Sequence, residues 1–259
     1  MRTVMGKASA KEIGCGLLDP RWRLFKQATG RNGTVLGRVE ASSRYVHVTR
    51  AACTAKAFHL WVAMHKQIRA IFTDTTIRVY QAYGDQIADV ALRQGTFAAP
   101  FSFSRMTWIK PSFLWMMYRC GWGLKDENQK RVLAIDIDRA GFERALSMAC
   151  LSHFDSELYP SETAWKEKLQ ASAVRIQWDP ERDIFFRPLP HRSLQIGLSG
   201  EAVHMYAGEW IKSITDITEE ASRLKKAVDA GDRSYLEANL PQEQLYPLPR
   251  SIALAIGAD

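Results

Sequence analysis

No window of this chain approaches the roughly 18 to 20 consecutive apolar residues of a membrane-spanning helix. The best candidate, His59 to Met64, is far too short. The first residues, MRTVMGKASAKEIGCGLL, contain basic side chains but no continuous apolar core, so secretion is not expected. Cysteine is scarce: Cys15, Cys53, Cys120 and Cys150 form no CxxC pair and fall far below the density of a disulfide scaffold. Free thiols in a reducing, cytoplasmic setting are the expectation. There is no P-loop, and Gly14-Cys15-Gly16 lacks both a third glycine and a preceding strand, so neither ATP nor a Rossmann-bound dinucleotide is indicated. No pair of histidines, cysteines or carboxylates has metal-ligand spacing. No cofactor and no metal are therefore expected, and bond-forming chemistry would have to begin from a substrate that is already activated. Internal repeats and low-complexity tracts are also missing.

What is present is unevenly distributed. The formal net charge is +7, yet residues 1–66 carry twelve lysines and arginines against three acids, and the remainder carries 23 against 25. The excess of positive charge lies in the first quarter. That stretch shows no sustained hydrophobic period and reads as a basic N-terminal extension over 1–66, with a short helix near Ala51 to Met64 and the capacity to touch polyanions. Residues 67–259 read as one catalytic-type domain.

Within that domain the period of the apolar residues alternates between two and 3.6. TTIRVYQAY (75–83) is a β-branched, aromatic strand, Gly84-Asp85 opens a helix through Leu92 that stops at Gly95, and VLAIDI (132–137) is a buried strand. Asp138 caps a helix over Arg139 to Cys150, and Ser161 caps another containing Trp165 and Leu169. AVRIQWD (173–179) is a strand that Pro180 ends, with Ile184 to Phe186 as a hairpin partner. HRSLQIGL (191–198) alternates again, and Ser199 caps a helix through Trp210 and Ile211, followed from Asp216 by helical pieces. Interspersed strands and helices predict an α+β (mixed α/β) fold, a single domain whose mixed sheet is flanked by helices.

The densest stretch is RMTWIKPSFLWMMYRCGW (105–122). It predicts a strand, a corner at Pro111 and a short helix, and its embedded Lys110, Ser112 and Arg119, beside Trp115, are candidates to line a pocket, because a charge among apolar residues needs a partner or a cavity. Three strands add polar faces opposite their apolar ones: Arg78 with Tyr80; Arg175 with Gln177 and Asp179; His191 with Ser193 and Gln195. If those faces line one sheet they form a cleft, with Gly197 allowing close approach by a ligand; otherwise they are simply wet. His191 with Ser193, or with Ser112 or Ser199 brought near in space, could also form a base–nucleophile pair, although no nucleophile elbow surrounds them.

The strings QIRAIFTDTTIRVYQAY (67–83), RMTWIKPSFLWMMYRCGW (105–122), VLAIDI (132–137), CLSHFD (150–155), VRIQWDPERD (174–183), LPHRSLQIGLSGEAV (189–203) and YPLP (246–249) together resemble domain-of-unknown-function family 4291, over about residues 67–250. Fungal relatives with this type of domain include arginine-containing cyclodipeptide synthases. The resemblance implies an aminoacyl-tRNA-dependent synthase joining arginine and a second amino acid into a diketopiperazine, with arginyl-tRNA among its partners, no membrane and no stable protein partner. Chemistry then suggests Asp136 or Asp179 for a guanidinium, His191 as base with Ser193, Ser112 and Tyr80 in catalysis, and Arg78 or Arg119 for the tRNA terminus or an oxyanion. Lys110, Trp115, Arg175, Gln177 and Gln195 complete the expected substrate-binding set. Two competing readings are an NAD-dependent ADP-ribosyltransferase-like enzyme, or other RNA-directed transferase, with Arg78 on a pyrophosphate, and a non-enzymatic RNA-binding module.

Overall fold

The computed structural model describes residues 65–259; the expected basic extension and its helix near Ala51 to Met64 lie outside the described residues. The first described strand, His65–Lys66, pairs in parallel with His191 and Arg192.

In chain order the elements are β1 (His65–Lys66), β2 (Arg69–Ala70), β3 (Thr76–Tyr83), α1 (Asp85–Gln94), β4 (Thr107–Ile109), α2 (Phe113–Cys120), β5 (Arg131–Asp138), α3 (Arg139–Ser147), β6 (Ala149–Leu151), α4 (Glu162–Ala171), β7 (Val174–Arg182) and β8 (Pro188–Leu198). There follow α5 (Glu201–Met205), which runs into a π-helical turn (Tyr206–Trp210), β9 (Ile211–Asp216), α6 (Thr218–Ala230), α7 (Arg233–Asn239), β10 (Gln244–Leu245) and α8 (Arg250–Ile256).

One antiparallel sheet runs β3-β5-β9, and a mixed sheet runs β1-β8-β7-β6 with β4 also on β8. The two meet at a single bridge. Tyr80 N–H donates to Lys110 O at 2.7 Å and Lys110 N–H returns to Tyr80 O at 3.3 Å, which curls the whole into one α+β surface. Period-two alternation then sorts the side chains. Ile77, Val79, Leu133, Ile135 and Ile137 share the main core with Ile109, Ile176, Leu194 and Ile196, and with Phe142 and Leu146 of α3. Each such side chain, fully buried, contributes about 1.5–3 kcal/mol. On the opposite face Tyr80, Val132 and Ala134 pack under Phe113, Met116 and Met117 of α2 and Ala221 and Leu224 of α6.

Local signals explain most boundaries. Gly95 and Gly121 adopt φ of 70° and 58° at the C-caps of α1 and α2, a conformation open to glycine at little cost. Asp138 accepts from Gly141 N–H at 2.9 Å and Ser161 from Ala164 N–H at 3.1 Å, capping α3 and α4 as expected. Five expectations are corrected. Ser199 does not cap α5, which starts after Gly200 with no side-chain cap; its hydroxyl donates to Ala173 O at 3.0 Å instead. The α3 helix stops at Ser147 because Ala149–Leu151 leaves it to pair with β7. Pro180 does not end β7; the strand bulges there and continues to Arg182. Residues 184–186 form the turn rather than a strand, held by the Asp183 carboxylate, which accepts from Phe185 N–H and Arg187 N–H at 2.9 Å. Ile211–Asp216 is a strand, not helix, on the edge of β5. No helix among the described residues is long and apolar enough to cross a membrane.

Candidate functional site

The bridge between Tyr80 and Lys110 is where the site begins, because past it β3 follows β5 while β4 follows β8. A buried polar network spans the resulting gap. The Tyr206 hydroxyl donates to Gln81 Oε1 at 2.7 Å, Gln81 Nε2 donates to Thr107 Oγ1 at 2.7 Å and to the Tyr83 hydroxyl at 2.9 Å, and Tyr83 and Thr107 meet at 2.8 Å. The gap opens into a cavity of about 700 Å³, within the range of small-molecule sites, and Gln81, Tyr83 and Thr107 of this network line it. Its walls are β3 and β4, the loop ahead of β4, α2, the loop after α2 and the glutamines of β7 and β8.

Lys110 lines this cavity and is only 6% exposed. Pro111 turns the chain immediately after it, and the Ser112 hydroxyl accepts from Trp115 N–H at 3.2 Å to start α2, so the lysine is pinned between strand and helix. Its ammonium donates to Trp108 O at 3.3 Å, and among the described residues no carboxylate oxygen lies within 4.0 Å of it. Burial, reinforced by the Arg119 charge, pulls its pKa down to about 8 against the weaker pull of Asp179. A cation that is buried and left without an anion is poised to meet one on a ligand.

Gln177 and Gln195 face each other across β7 and β8 and both line the cavity. Gln177 Nε2 donates to Asp179 Oδ1 at 3.0 Å and Gln195 Nε2 to Asp179 Oδ2 at 2.7 Å. A carboxylate can only accept, so it fixes both amide orientations and leaves the two Oε1 acceptors for the cavity. Asp179 thus acts from behind the glutamines. Arg119 lines the cavity as expected, joined by Arg105, Trp108 and Met106. Gly197 has a different use from the one expected. A Cβ there would sit 2.6 Å from Met106 Sδ and 3.0 Å from Trp108 Cζ2, so the missing side chain admits protein rather than ligand, and lets Met106 and Trp108 lie on the sheet as a wall.

Other expected site residues fall elsewhere. Arg78 and Asp136 stand opposite each other on β3 and β5 and form a two-bond pair, Nε to Oδ1 and Nη2 to Oδ2 at 2.8 Å each, with Ser213 Oγ donating to Oδ2 at 3.1 Å. Burial works to raise the Asp136 pKa, but Arg78 and Ser213 hold it below the usual value. Neither residue lines the cavity, and each already occupies the partner a substrate would need. Tyr80, 1% exposed, packs edge-on against Phe113, and burial raises its pKa far above the usual phenol range. Ser112 is committed to its helix cap. Trp115 is buried and stacks on Tyr118. Arg175 lies opposite Gly197 with a buried Nε that has no partner among the described residues. His191, opposite His65, and the buried Ser193 are both outside the cavity wall; burial lowers the His191 pKa and its Nε2 has no partner among the described residues. Sequence reasoning passed over Trp108; Arg105 counts among the embedded charges of RMTWIKPSFLWMMYRCGW that need a partner or a cavity, but not among the expected substrate-binding residues. The described residues contain no group of three or more histidines, cysteines and carboxylates placed to hold a metal.

Comparison with curated proteins gives no match. A family described as domain of unknown function (DUF4291) matches residues 67–246, more than half of the chain and the span that contains every strand and helix around the cavity. The chain belongs to that family.

Proposed function

We propose that the cavity is an aminoacyl-transfer site and that the chain is an aminoacyl-tRNA-dependent cyclodipeptide synthase, a cytoplasmic enzyme joining arginine to a second amino acid. The observation that carries this reading is Lys110, a buried cation on a cavity wall with no carboxylate beside it among the described residues. Ester aminolysis develops negative charge on the carbonyl oxygen, and a fixed positive charge in a water-poor site stabilises that charge more than the neutral ester. The two glutamine acceptors that Asp179 orients suit the N–H groups of a guanidinium.

The reaction needs no further activation. The α-amine of the second aminoacyl group attacks the carbonyl carbon of the arginyl ester, the C–N bond forms, and the C–O bond to the terminal ribose breaks. The amine proton ends on the departing ribose oxygen. The free amine of the dipeptidyl ester then attacks its own ester carbonyl, releasing the second tRNA and closing a six-membered ring. An α-amine has a pKa of about 7.7–8.0, so a useful fraction is neutral at the pH at which Lys110 is still charged. The protein supplies position and charge.

The test is direct. Purified full-length protein is incubated with a charged tRNA pool containing arginyl-tRNA, and products are read by mass spectrometry beside Lys110→Met and Asp179→Ala. A new arginine-containing diketopiperazine that Lys110→Met loses is the expected result. Folded protein that yields no cyclic dipeptide from any charged pool would sink the proposal.

A further inference from the structure

Three cations border the cavity: Arg105 ahead of β4, Lys110 after it and Arg119 on α2. One acid lines the same space, Asp126, and its Oδ1 already accepts from the Asn128 backbone and side-chain N–H groups at 2.8 and 3.1 Å. Among the described residues none of the three cations has a carboxylate within 4.0 Å. Like charges gathered in a cavity without counter-charge repel one another, and an anionic ligand relieves the repulsion. Trp108 lines the same cavity, partly buried, with its benzenoid edge resting on Gly197, and no other aromatic ring stacks on it among the described residues. Cations, an unstacked indole and amide acceptors on one cavity wall match the separate parts of a nucleotide: phosphate, base and ribose substituent.

We infer that this wall is a subsite for the 3′ end of a single-stranded RNA, in which Arg105 and Arg119 hold the last phosphodiester and Trp108 stacks on the terminal base. Arginine pairs two N–H groups with a phosphate, and indole stacking accepts any base, so the grip belongs to strand ends in general rather than to one sequence. The identity of the strand rests on the aminoacyl-transfer reading, because there the ester hangs on the terminal ribose and must reach Lys110. The phosphate and base contacts rest on the cavity itself.

The probe is a 5′-fluorescein-labelled tetraribonucleotide ending in CCA, bound to the full chain and followed by anisotropy across a salt series. Residues 1–66 stay in every variant, so their charge cancels in the comparison. Arg105→Gln with Arg119→Gln is expected to weaken binding at least roughly tenfold at moderate salt and to reduce the slope of log affinity against log salt by about 0.7, because the two arginines neutralise one phosphodiester of a single strand. Trp108→Leu is expected to weaken the intact probe roughly tenfold, while an abasic-ended probe binds it as well as it binds wild type. Unchanged affinity and slope in the double variant would overturn the subsite. Both arginines are exposed, so the double variant folds, which its thermal melt checks. A double variant that binds RNA and makes the cyclic dipeptide as wild type does removes the subsite and leaves the transferase. The expected loss of RNA binding in a protein that never makes the product does the reverse.

Discussion

Replacing Lys110 with methionine should stabilise the protein while abolishing its chemistry. The two side chains have similar length and volume, so the substitution removes the charge with little repacking. Lysine has an ordinary pKa of 10.5, and in the fold it falls to about 8 because the ammonium is buried and faces Arg119. At 1.36 kcal/mol per tenfold change, the charged side chain costs the native state about 3 kcal/mol at neutral pH. The sign follows from proton binding. Below pH 8 both states are protonated and the full cost is felt; between pH 8 and 10.5 the native lysine releases its proton while the unfolded one keeps it, so wild-type stability climbs with pH across that window. Urea unfolding at pH 7 should therefore favour Lys110→Met by about 3 kcal/mol, or roughly 6–12 °C in Tm for a chain of this size. The advantage should vanish by about pH 10.5. A variant that is less stable at pH 7, or whose stability tracks wild type in parallel from pH 8 to 10.5, would show that the ammonium has a counter-charge and would remove the basis for the site.

Other substitutions probe the scaffold. Gly141→Ala in α3 would set its Cβ 2.5 Å from Trp210 Cδ1 and Cγ; the helix-propensity gain of about 0.5–1 kcal/mol is outweighed by an overpacking cost of about 1–3 kcal/mol, since neither the ring nor the helix backbone can rotate aside. Thermal melts should place this variant below wild type, and an equal or higher Tm would mean that Trp210 is loosely held. Glu243 accepts from Phe113 N–H at 2.6 Å, yet burial above all, with Glu181 nearby, raises its pKa to about 8. Between about pH 4.5 and 8 the unfolded carboxyl ionises before the native one, so stability falls as pH rises, and Glu243→Gln should flatten that decline in denaturant titrations. Asp136→Ala strips the half-buried Arg78 of both its bonds and should cost about 1.5–3 kcal/mol while leaving cyclic-dipeptide formation intact; loss of product from the folded variant would return Asp136 to the site.

Alternation made most of the sheet legible. The residues that alternate with the expected polar faces, Ile77 and Val79, then Val174, Ile176 and Trp178, then Leu194, Ile196 and Leu198, are buried, and the polar faces of β7 and β8 do share one surface. The grouping failed at β3, because which polar faces meet depends on strand order, and the Tyr80–Lys110 bridge closes over a sequence separation that periodicity does not see. Arg78 therefore meets Asp136 across β5 instead of the β7 and β8 cleft. Ile211–Asp216 was hidden by the helical turn before it, although isoleucines spaced among serine, threonine and lysine are a fair edge-strand signal. Within RMTWIKPSFLWMMYRCGW the embedded charges were the useful clue. Lys110 reaches the cavity because its apolar neighbours leave its charge no other exit, while Arg119, exposed on α2, lines the same space.

The bridge between Tyr80 and Lys110 gives the two sheets a seam one rung wide. The rung is part of a larger tie, because the Gln81 amide and the Tyr83 hydroxyl also reach Thr107 across the same junction. The backbone that carries the buried ammonium is thus held by both sheets at once, and the Tyr80 and Lys110 amides should be among the slowest in the domain to exchange with solvent.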